Sequence, residues 1–491
     1  MIHCFEFSRW LVVIAILASS SFIGLKAQAQ ERPNFVVIFT DDQGYGDLGS
    51  YGSPDIRTPN IDDIAAEGMT FTSFYAAVFC GPSRAALMTA SYPPRNALDF
   101  NHFPNAKTGI NSGEVTIAEM LKEQGYATIH LGKWHLGDVA EFMPLEHGFD
   151  EYFGIPYSND MWRFHDAITR TENSDPRLIA AIERANYTGS PDIGHPFDES
   201  LGKNDLPLYH NSEIIEYNPD QTLLTKRYTE HALDFIEKNK DGPFFLYLAH
   251  AMPHMPIFAS EKFKGKSIRG LYGDTIEEID WGVGEIIAKL KELGIDDNTV
   301  VVFTSDNGPW LQYGIDAGSA GPLRDGKATV YEGGIRVPGI VRWPGKIPAG
   351  ARSSEIVSNM DLMPTFAHLA GADLPSDRVL DGRNIWDLLS GKTMKGPHNE
   401  FYYYGGNPAE NEANLMAVRQ GRWKLHFKKE NRRAVMPLKG VELYDLHRDV
   451  SEKYNRSEDH PDVVARLEQL AKEFNASLIE NIRPLGRVAQ N

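Results

Sequence analysis

The sequence predicts an α/β protein, with a large, mostly parallel sheet sandwiched by helices and a smaller C-terminal α+β subdomain carrying an antiparallel sheet. Three observations carry this. Four short apolar runs show no polar alternation, as strands buried on both faces do. Amphipathic helical patterns lie between them, which is the mark of parallel strands joined by crossovers. After about Lys395 the pattern changes to short, closely set strands and one last helix. A chain of 491 residues exceeds one ordinary core, so a large domain with a smaller companion is the default.

In chain order, MIHCFEFSR precedes the apolar run WLVVIAILASSSFIGL and the tripeptide Ala27-Gln28-Ala29. A short leading region, an apolar core and small residues at the cleavage point predict a signal peptide over 1–29, cut after Ala29. The run is short for a spanning helix and serines interrupt it. The expectation is an exported protein, periplasmic or secreted, soluble and without membrane attachment once cleaved.

A catalytic α/β domain is expected over 30–395. Its strands are read at NFVVIF (34–39), YATIHL (126–131), PFFLYLA (243–249) and TVVVFTS (299–305). TLLTKRYTEHALDFIEKNKDGP leads by helix into the third run. TIEEIDWGVGEIIAKLKELG places Ile276, Ile279, Val283, Ile286, Leu290 and Leu293 on one face, stops at Gly294 and leads into the fourth. Residues 156–220 are polar and irregular and read as a long substrate-side excursion. The subdomain, 396–491, holds strands at EFYYYGG, LMAVRQG, RWKLHF and VELYDL. Its closing helix carries Val464, Leu467, Leu470, Phe474 and Leu478 on one side.

Polar residues follow each predicted strand: Asp41-Asp42, then Lys133 and His135, then His250 and His254, then Asp306-Asn307. Open α/β sheets place their sites beyond the carboxyl ends of the strands, so these groups should meet at one edge. Asp41, Asp42, Asp306 and Asn307 offer hard oxygen donors that suit Ca²⁺ or Mg²⁺ better than zinc. Either pair alone is more often a turn or a helix cap. The net charge of −18 and the absence of a basic stripe argue against nucleic acid. An acidic protein that handles an anionic ester must build its positive pocket locally.

Cys4 leaves with the signal peptide, so Cys80 would stand alone and the mature chain would hold no internal disulfide. A lone thiol in an oxidising compartment is either buried and inert or chemically used. In FCGPSRAALMTASYPPR it sits ahead of Pro82, which suits a helix's first turn, and one turn ahead of Arg84. Both features favour an anion there.

The segment CGPSRAALMT resembles the sulfatase signature Cys-x-Pro-Ser-Arg-x-x-Leu-x-Thr. In that family the cysteine is oxidised after synthesis to Cα-formylglycine (3-oxoalanine), an aldehyde. The resemblance runs over nearly the whole mature chain and is closest to the arylsulfatase A-like branch. PNFVVIFTDDQGYGDLGSYG is similar to its metal-binding start, GYATIHLGKWHLG to its second signature and GKATVYEGGIRVP to its late lysine segment. Phe79 stands where a smaller residue usually precedes the cysteine, and Ala90-Ser91 replaces the usual Gly-Arg.

This resemblance implies an alkaline phosphatase-like fold and an exported sulfuric ester hydrolase. It implies one Ca²⁺ per chain, with Mg²⁺ as the alternative, held by Asp41, Asp42, residue 80, Asp306 and Asn307. Cys80, Arg84, Lys133, His135, His254 and Lys327 become the catalytic set, and a formylglycine-generating enzyme becomes the maturation partner. In the implied mechanism residue 80 hydrates to a geminal diol, and one hydroxyl attacks sulfur. His254 or Lys327 protonates the departing alcohol, and His135 takes the second hydroxyl's proton so that sulfate leaves and the aldehyde returns. The substrate is expected to be a sulfated carbohydrate or an aryl sulfate, with Tyr157, Trp162, Arg163 and His165 as a sugar platform and His250 beside them. The alternatives are a phosphonate or phosphate monoester hydrolase, a non-catalytic sulfated-glycan binder, and a cysteine hydrolase using Cys80 and His135.

Overall fold

The computed structural model describes residues 32–161, 206–405, 413–427 and 440–488; the predicted signal peptide lies outside them. Among these residues the central feature is an eleven-stranded sheet. Its strands in chain order are β1 (Asn34–Thr40), β2 (Met69–Tyr75), β3 (Ala127–Lys133), β4 (Glu151–Ile155) and β5 (Pro207–His210). They continue with β6 (Glu213–Tyr217), β7 (Phe244–Ala249), β8 (Thr299–Ser305), β9 (Arg336–Arg342) and β10 (Ala351–Ser353). They lie in the order β10-β2-β9-β8-β1-β7-β3-β4-β5-β6, with Val357–Ser358 pairing beside β2.

The four apolar runs are β1, β3, β7 and β8. With β4 they form the parallel heart of the sheet. Every residue of β1, β7 and β8 is buried, as expected where helices cover both faces. Alternate residues point to opposite cores. Val36 and Ile38 pack with helices α1 (Pro59–Glu67), α4 (Leu224–Lys238) and α5 (Leu271–Glu292). Phe35, Val37 and Phe39 pack with α2 (Cys80–Thr89), α3 (Ile117–Glu123) and α6 (Leu362–Ala370). Helix α5 stops as its sequence requires, with Gly294 at a φ of +69° just beyond the end.

The flanks of the sheet are antiparallel. β9 runs against both β8 and β2, and Pro338 falls at the irregularity in its register, where a missing N–H is tolerated. β5 and β6 form a hairpin on the opposite edge. Residues 207–217 therefore correct the expectation of an irregular excursion over 156–220. The hairpin is an edge, and the EIIEY sequence of β6 leaves its side chains largely in solvent, so it shows no apolar run.

The small sheet pairs Glu400–Tyr404, Leu415–Gln420, Trp423–His426 and Glu442–Asp445 antiparallel in that order. Helix α7 (Pro461–Glu480) covers it with Val463, Leu467, Ala471 and Leu478. The buried stripe is thus rotated slightly from the expected one, and Val464, Leu470 and Phe474 sit half-buried at its border. The core beneath this sheet also contains Tyr75 of β2 and Ala86 of α2, and Pro33–Asn491 make one compact unit. No helix among the described residues is long and apolar enough to cross a membrane.

Candidate active site

The carboxyl ends of β1, β3, β7 and β8 deliver Asp41-Asp42, Lys133, His250 and Asp306-Asn307 to one edge of the sheet, flanking the central strand. Two backbone positions make the approach possible. Gly132 (φ +101°) precedes Lys133, and a Cβ there would lie 1.9 Å from the Ala249 carbonyl oxygen. At Gly308, just after Asn307, a Cβ would lie 1.8 Å from the Gly333 carbonyl. Only glycine fits either place. Asp42, His135 and Ala328 hold left-handed φ of 60°, 66° and 72°, a conformation L-residues adopt at a cost and one that gathers at functional sites.

Cys80 opens helix α2 and is 1% exposed. Its Sγ lies 3.4 Å from Asp41 Oδ1 and 3.4 Å from Lys327 Nζ. Lys327 reaches across to both oxygens of Asp42, at 2.7 and 2.9 Å. Lys133 Nζ donates to Asp41 Oδ2 and, at 3.1 Å, to Ser158 Oγ. Arg84 braces the set, donating to the Lys133 carbonyl at 2.6 Å, to Asp41 at 3.2 Å and to Asp306 at 2.9 Å. His254 places Nε2 3.6 Å from Asp42 while its Nδ1 donates to the Met255 carbonyl. His135 donates from Nε2 to the His102 carbonyl at 3.2 Å, and its buried Nδ1 is left unpartnered.

Electrostatics follow from this crowding. Burial would raise the Asp41 carboxyl, but Lys133, and after it His254, Arg84 and Lys327, hold it well below the carboxylate range. Burial and then the adjacent Asp41 charge push Asp306 up to about 7. Burial, then Lys133 and Arg84, keep His135 neutral far below the usual imidazole value. Burial and the Asp41 charge drive the Cys80 thiol well above its ordinary value. As a cysteine, residue 80 is therefore a poor nucleophile, and among the described residues its Sγ is hydrogen-bonded to Asp41 and Lys327 and to no histidine. The cysteine-hydrolase alternative gains nothing from this geometry.

The donor set fits a metal ion. Ligand atoms of Asp41, Asp42, Cys80 and His254 all lie within 4.8 Å of one another. Asn307 donates its Nδ2 to Asp42 at 2.7 Å and leaves its buried Oδ1 unpartnered. The buried Asp41 charge raises the proton affinity of the buried Asp306 carboxyl, a repulsion a cation relieves. His254 in this cluster was expected as a substrate contact rather than a ligand.

Other expectations fare unevenly. Tyr157 is 5% exposed and packed in the core beside the sheet, so its ring is no open sugar platform; an aromatic at a loop's start was there for packing. His250 is wholly buried with both ring nitrogens unpartnered, near Tyr228. Burial lowers its pKa to about 3, which makes it a neutral residue behind the site rather than a substrate contact. Trp162, Arg163 and His165 lie outside the described residues.

Sequence reasoning missed Ser158, which sits between Lys133 and both nitrogens of His254. It also missed Gln43, buried directly after the aspartate pair with both amide atoms unpartnered, and Trp310, three residues beyond Asn307. Nothing but proximity to the metal-pair motifs could have flagged the last two. Ala90 caps α2 in a left-handed conformation, φ +51°. Ser91, at the position where the family usually has arginine, accepts from Arg483 at 3.2 Å, and Arg483 pairs with Glu114.

Comparison with known proteins completes the assignment. Residues 33–372 match the family model named Sulfatase, and residues 325–479 match that named N-sulphoglucosamine sulphohydrolase, C-terminal. The chain is 36% identical to mouse N-acetylgalactosamine-6-sulfatase, an alignment covering 98% of this chain and 92% of that protein. It is 37% identical to bovine arylsulfatase A over 96% of this chain and 92% of the relative. A crystal structure of Ps i-CgsB in complex with k-i-k-neocarrahexaose superposes with a TM-score of 0.73 at 32% identity, covering 92% of this chain and 94% of that one. The fold is accordingly that of the alkaline phosphatase-like sulfatases, and this chain belongs to the sulfatase family as a sulfuric ester hydrolase.

Proposed function

We propose that this enzyme cleaves the sulfate ester of a sulfated carbohydrate, with Cys80 converted to formylglycine as its nucleophile. The observation that carries the reading is the convergence on residue 80 of Lys327 and Asp41 at 3.4 Å, at the start of a helix. Lys133 and His254 stand around the same aspartate pair.

In this reading one hydroxyl of the hydrated aldehyde, beside Asp41, attacks sulfur. Lys133, Lys327 and Arg84 offset charge on the sulfate oxygens in a water-poor pocket, where fixed cations act most strongly. Lys327 Nζ, or His254 Nε2 when the imidazole is doubly protonated, gives a proton to the departing alcohol oxygen. His135 Nδ1, unpartnered and kept neutral by burial, takes the proton of the second hydroxyl so that sulfate is expelled. A metal ion held by Asp41, Asp42, Asp306 and Asn307 would supply Lewis-acid stabilisation of the sulfate oxygens. The oxygen-rich set favours Ca²⁺ over Mg²⁺ only through the family, and either suits the donors. The carbohydrate assignment draws on the relatives' names, an N-acetylgalactosamine-6-sulfatase and a protein solved with neocarrahexaose. Export through residues 1–29, and maturation by a formylglycine-generating enzyme, belong to the same proposal.

Two measurements test it. Mass spectrometry of the tryptic peptide Thr58–Arg84 should show the Cys80 thiol replaced by an aldehyde or its hydrate. Initial rates should favour aryl sulfate over aryl phosphate. An intact thiol in active protein would remove the formylglycine step, and faster phosphate turnover would move the enzyme to the phosphate monoester alternative.

A further inference from the structure

His254 and Lys327 are the two groups placed to protonate the departing oxygen, so the carbon skeleton bonded to that oxygen must lie beside them. One aromatic side chain touches both. The ring centroid of Trp310 is 4.6 Å from Lys327 Nζ and 5.4 Å from the His254 ring. Tyr313, buried, props the indole edge-on at 5.0 Å and 89°, which fixes its plane. Trp310 is half-buried, whereas Phe39 and Tyr228, the rings against Arg84 and His250, are fully enclosed. Its indole N–H is turned to Gln312 at 3.2 Å in an exposed stretch. Leu311 and Ile315, in the 3-10 turn that follows the indole, are exposed.

We propose that Trp310 is the platform on which the ring bearing the sulfate lies, so that the enzyme selects esters of a pyranose or aryl ring over those of acyclic alcohols. The proposal rests on the sulfatase reading above and assigns the leaving-group side of that site. A flat, propped indole offers dispersion contact to the apolar face of a ring at little conformational cost, and it offers nothing to the sulfate itself. It also takes over the role expected of Tyr157, whose ring is packed away.

The test compares a ring-bearing probe with one that has no ring. Wild type, W310A and W310F are assayed on 4-methylumbelliferyl sulfate, and inorganic sulfate is used as a competitive product inhibitor. The wild-type rate on aryl sulfate, measured first, decides the sulfatase reading independently of any variant. W310A should lower kcat/KM by about tenfold, the size of one aromatic stacking contact, while the sulfate inhibition constant and the pH profile stay at wild-type values. W310F should recover most of the loss. If W310A weakens inorganic sulfate equally or shifts the pH profile, Trp310 acts by positioning Lys327 and the platform is wrong. Unchanged kcat/KM on the aryl ester would overturn it as well.

Discussion

Two of the buried charge clusters among the described residues differ in one respect. At the sheet edge, Asp41, Asp42 and Asp306 face Arg84, Lys133 and Lys327. Where the small sheet meets the large one, Glu332 and Glu452 face Lys424, His426, Arg336 and Arg419. There Lys424 Nζ donates to Glu332 at 2.9 Å, to Glu452 at 3.0 Å and to the Val330 carbonyl at 2.7 Å. Tyr75 and Tyr403 add hydroxyl donors to Glu332 at 2.6 and 2.9 Å, and His426 pairs with Glu452 at 2.7 Å. Of these side chains only His426 Nδ1 lacks a partner, whereas the sheet-edge cluster and its surroundings leave Asn307 Oδ1, Arg84 Nε, His135 Nδ1 and the Gln43 amide unsatisfied. Both clusters are buried. The nearly satisfied one ties the small sheet to the large one, and the other leaves groups that a bound ion or substrate would satisfy.

The largest expected effect separates them outright. D42A should cut the rate on an aryl sulfate by about a thousandfold or more, because it removes a metal donor and the partner of Lys327 together. With both proteins in EDTA, so that no metal contributes, its denaturant midpoint should stay close to wild type. K424M is the mirror case: stripping one amine from two buried carboxylates should cost about 3–5 kcal/mol of stability. The K424M chains still folded at low denaturant should keep wild-type kcat. Loss of activity in K424M without loss of stability would erase the distinction.

Chelation comes next. A metal bound only by the folded chain stabilises by about 2.7 kcal/mol at a hundredfold excess over its Kd. EDTA should therefore lower the melting temperature of wild type, and added Ca²⁺ should restore it. D42A should show no such response. Acid should reveal the other cluster. Lys424, and after it other cations, hold Glu332 and Glu452 below the usual carboxylate range against the upward push of burial. Depressed acids stabilise above their unfolded pKa and lose that contribution as pH falls. Burial also lowers His426, so the unfolded chain takes up a proton from about pH 6.5 that the folded chain refuses. Melting temperature should thus decline from about pH 6.5 downward and steepen below about 4. H426Q should shrink the upper limb by one histidine's share, leaving that of His102, His130, His135, His147, His250 and His254, whose proton affinity burial also lowers.

The smallest effect concerns Ala90, whose left-handed φ costs about 1 kcal/mol relative to glycine. A90G should raise stability by about that amount, seen as a higher denaturant midpoint, with unchanged turnover. A drop would mean that the Ala90 methyl packs against its neighbours more tightly than its backbone is strained.

What could be read from the sequence divides along similar lines. β1, β3, β7 and β8 were legible because a strand buried on both faces must be apolar throughout. The polar residues at their ends were legible because such strands have no other use for them. β2, β9 and the β5–β6 hairpin were not, since flanking strands mix polar residues and even proline into the run. The Glu332–Lys424–Glu452 cluster joins residues up to 120 apart, a spacing no local pattern encodes. Ser158 and Trp310 look ordinary in the chain and acquire meaning only from His254 and Lys327, which tertiary folding brings to them. Tyr157 was misread for the converse reason, as an aromatic in a polar stretch whose neighbours are apolar only in space.

The enclosure of Cys80 sets a timetable. Its side chain is 1% exposed behind Asp41 and Lys327, so no other enzyme could grip the thiol once this structure has formed. The conversion proposed for residue 80 would therefore have to win a race against folding, during or soon after synthesis. Slow folding would then help maturation, and a fast-folding variant, however stable, would accumulate as finished-looking protein that can no longer be switched on.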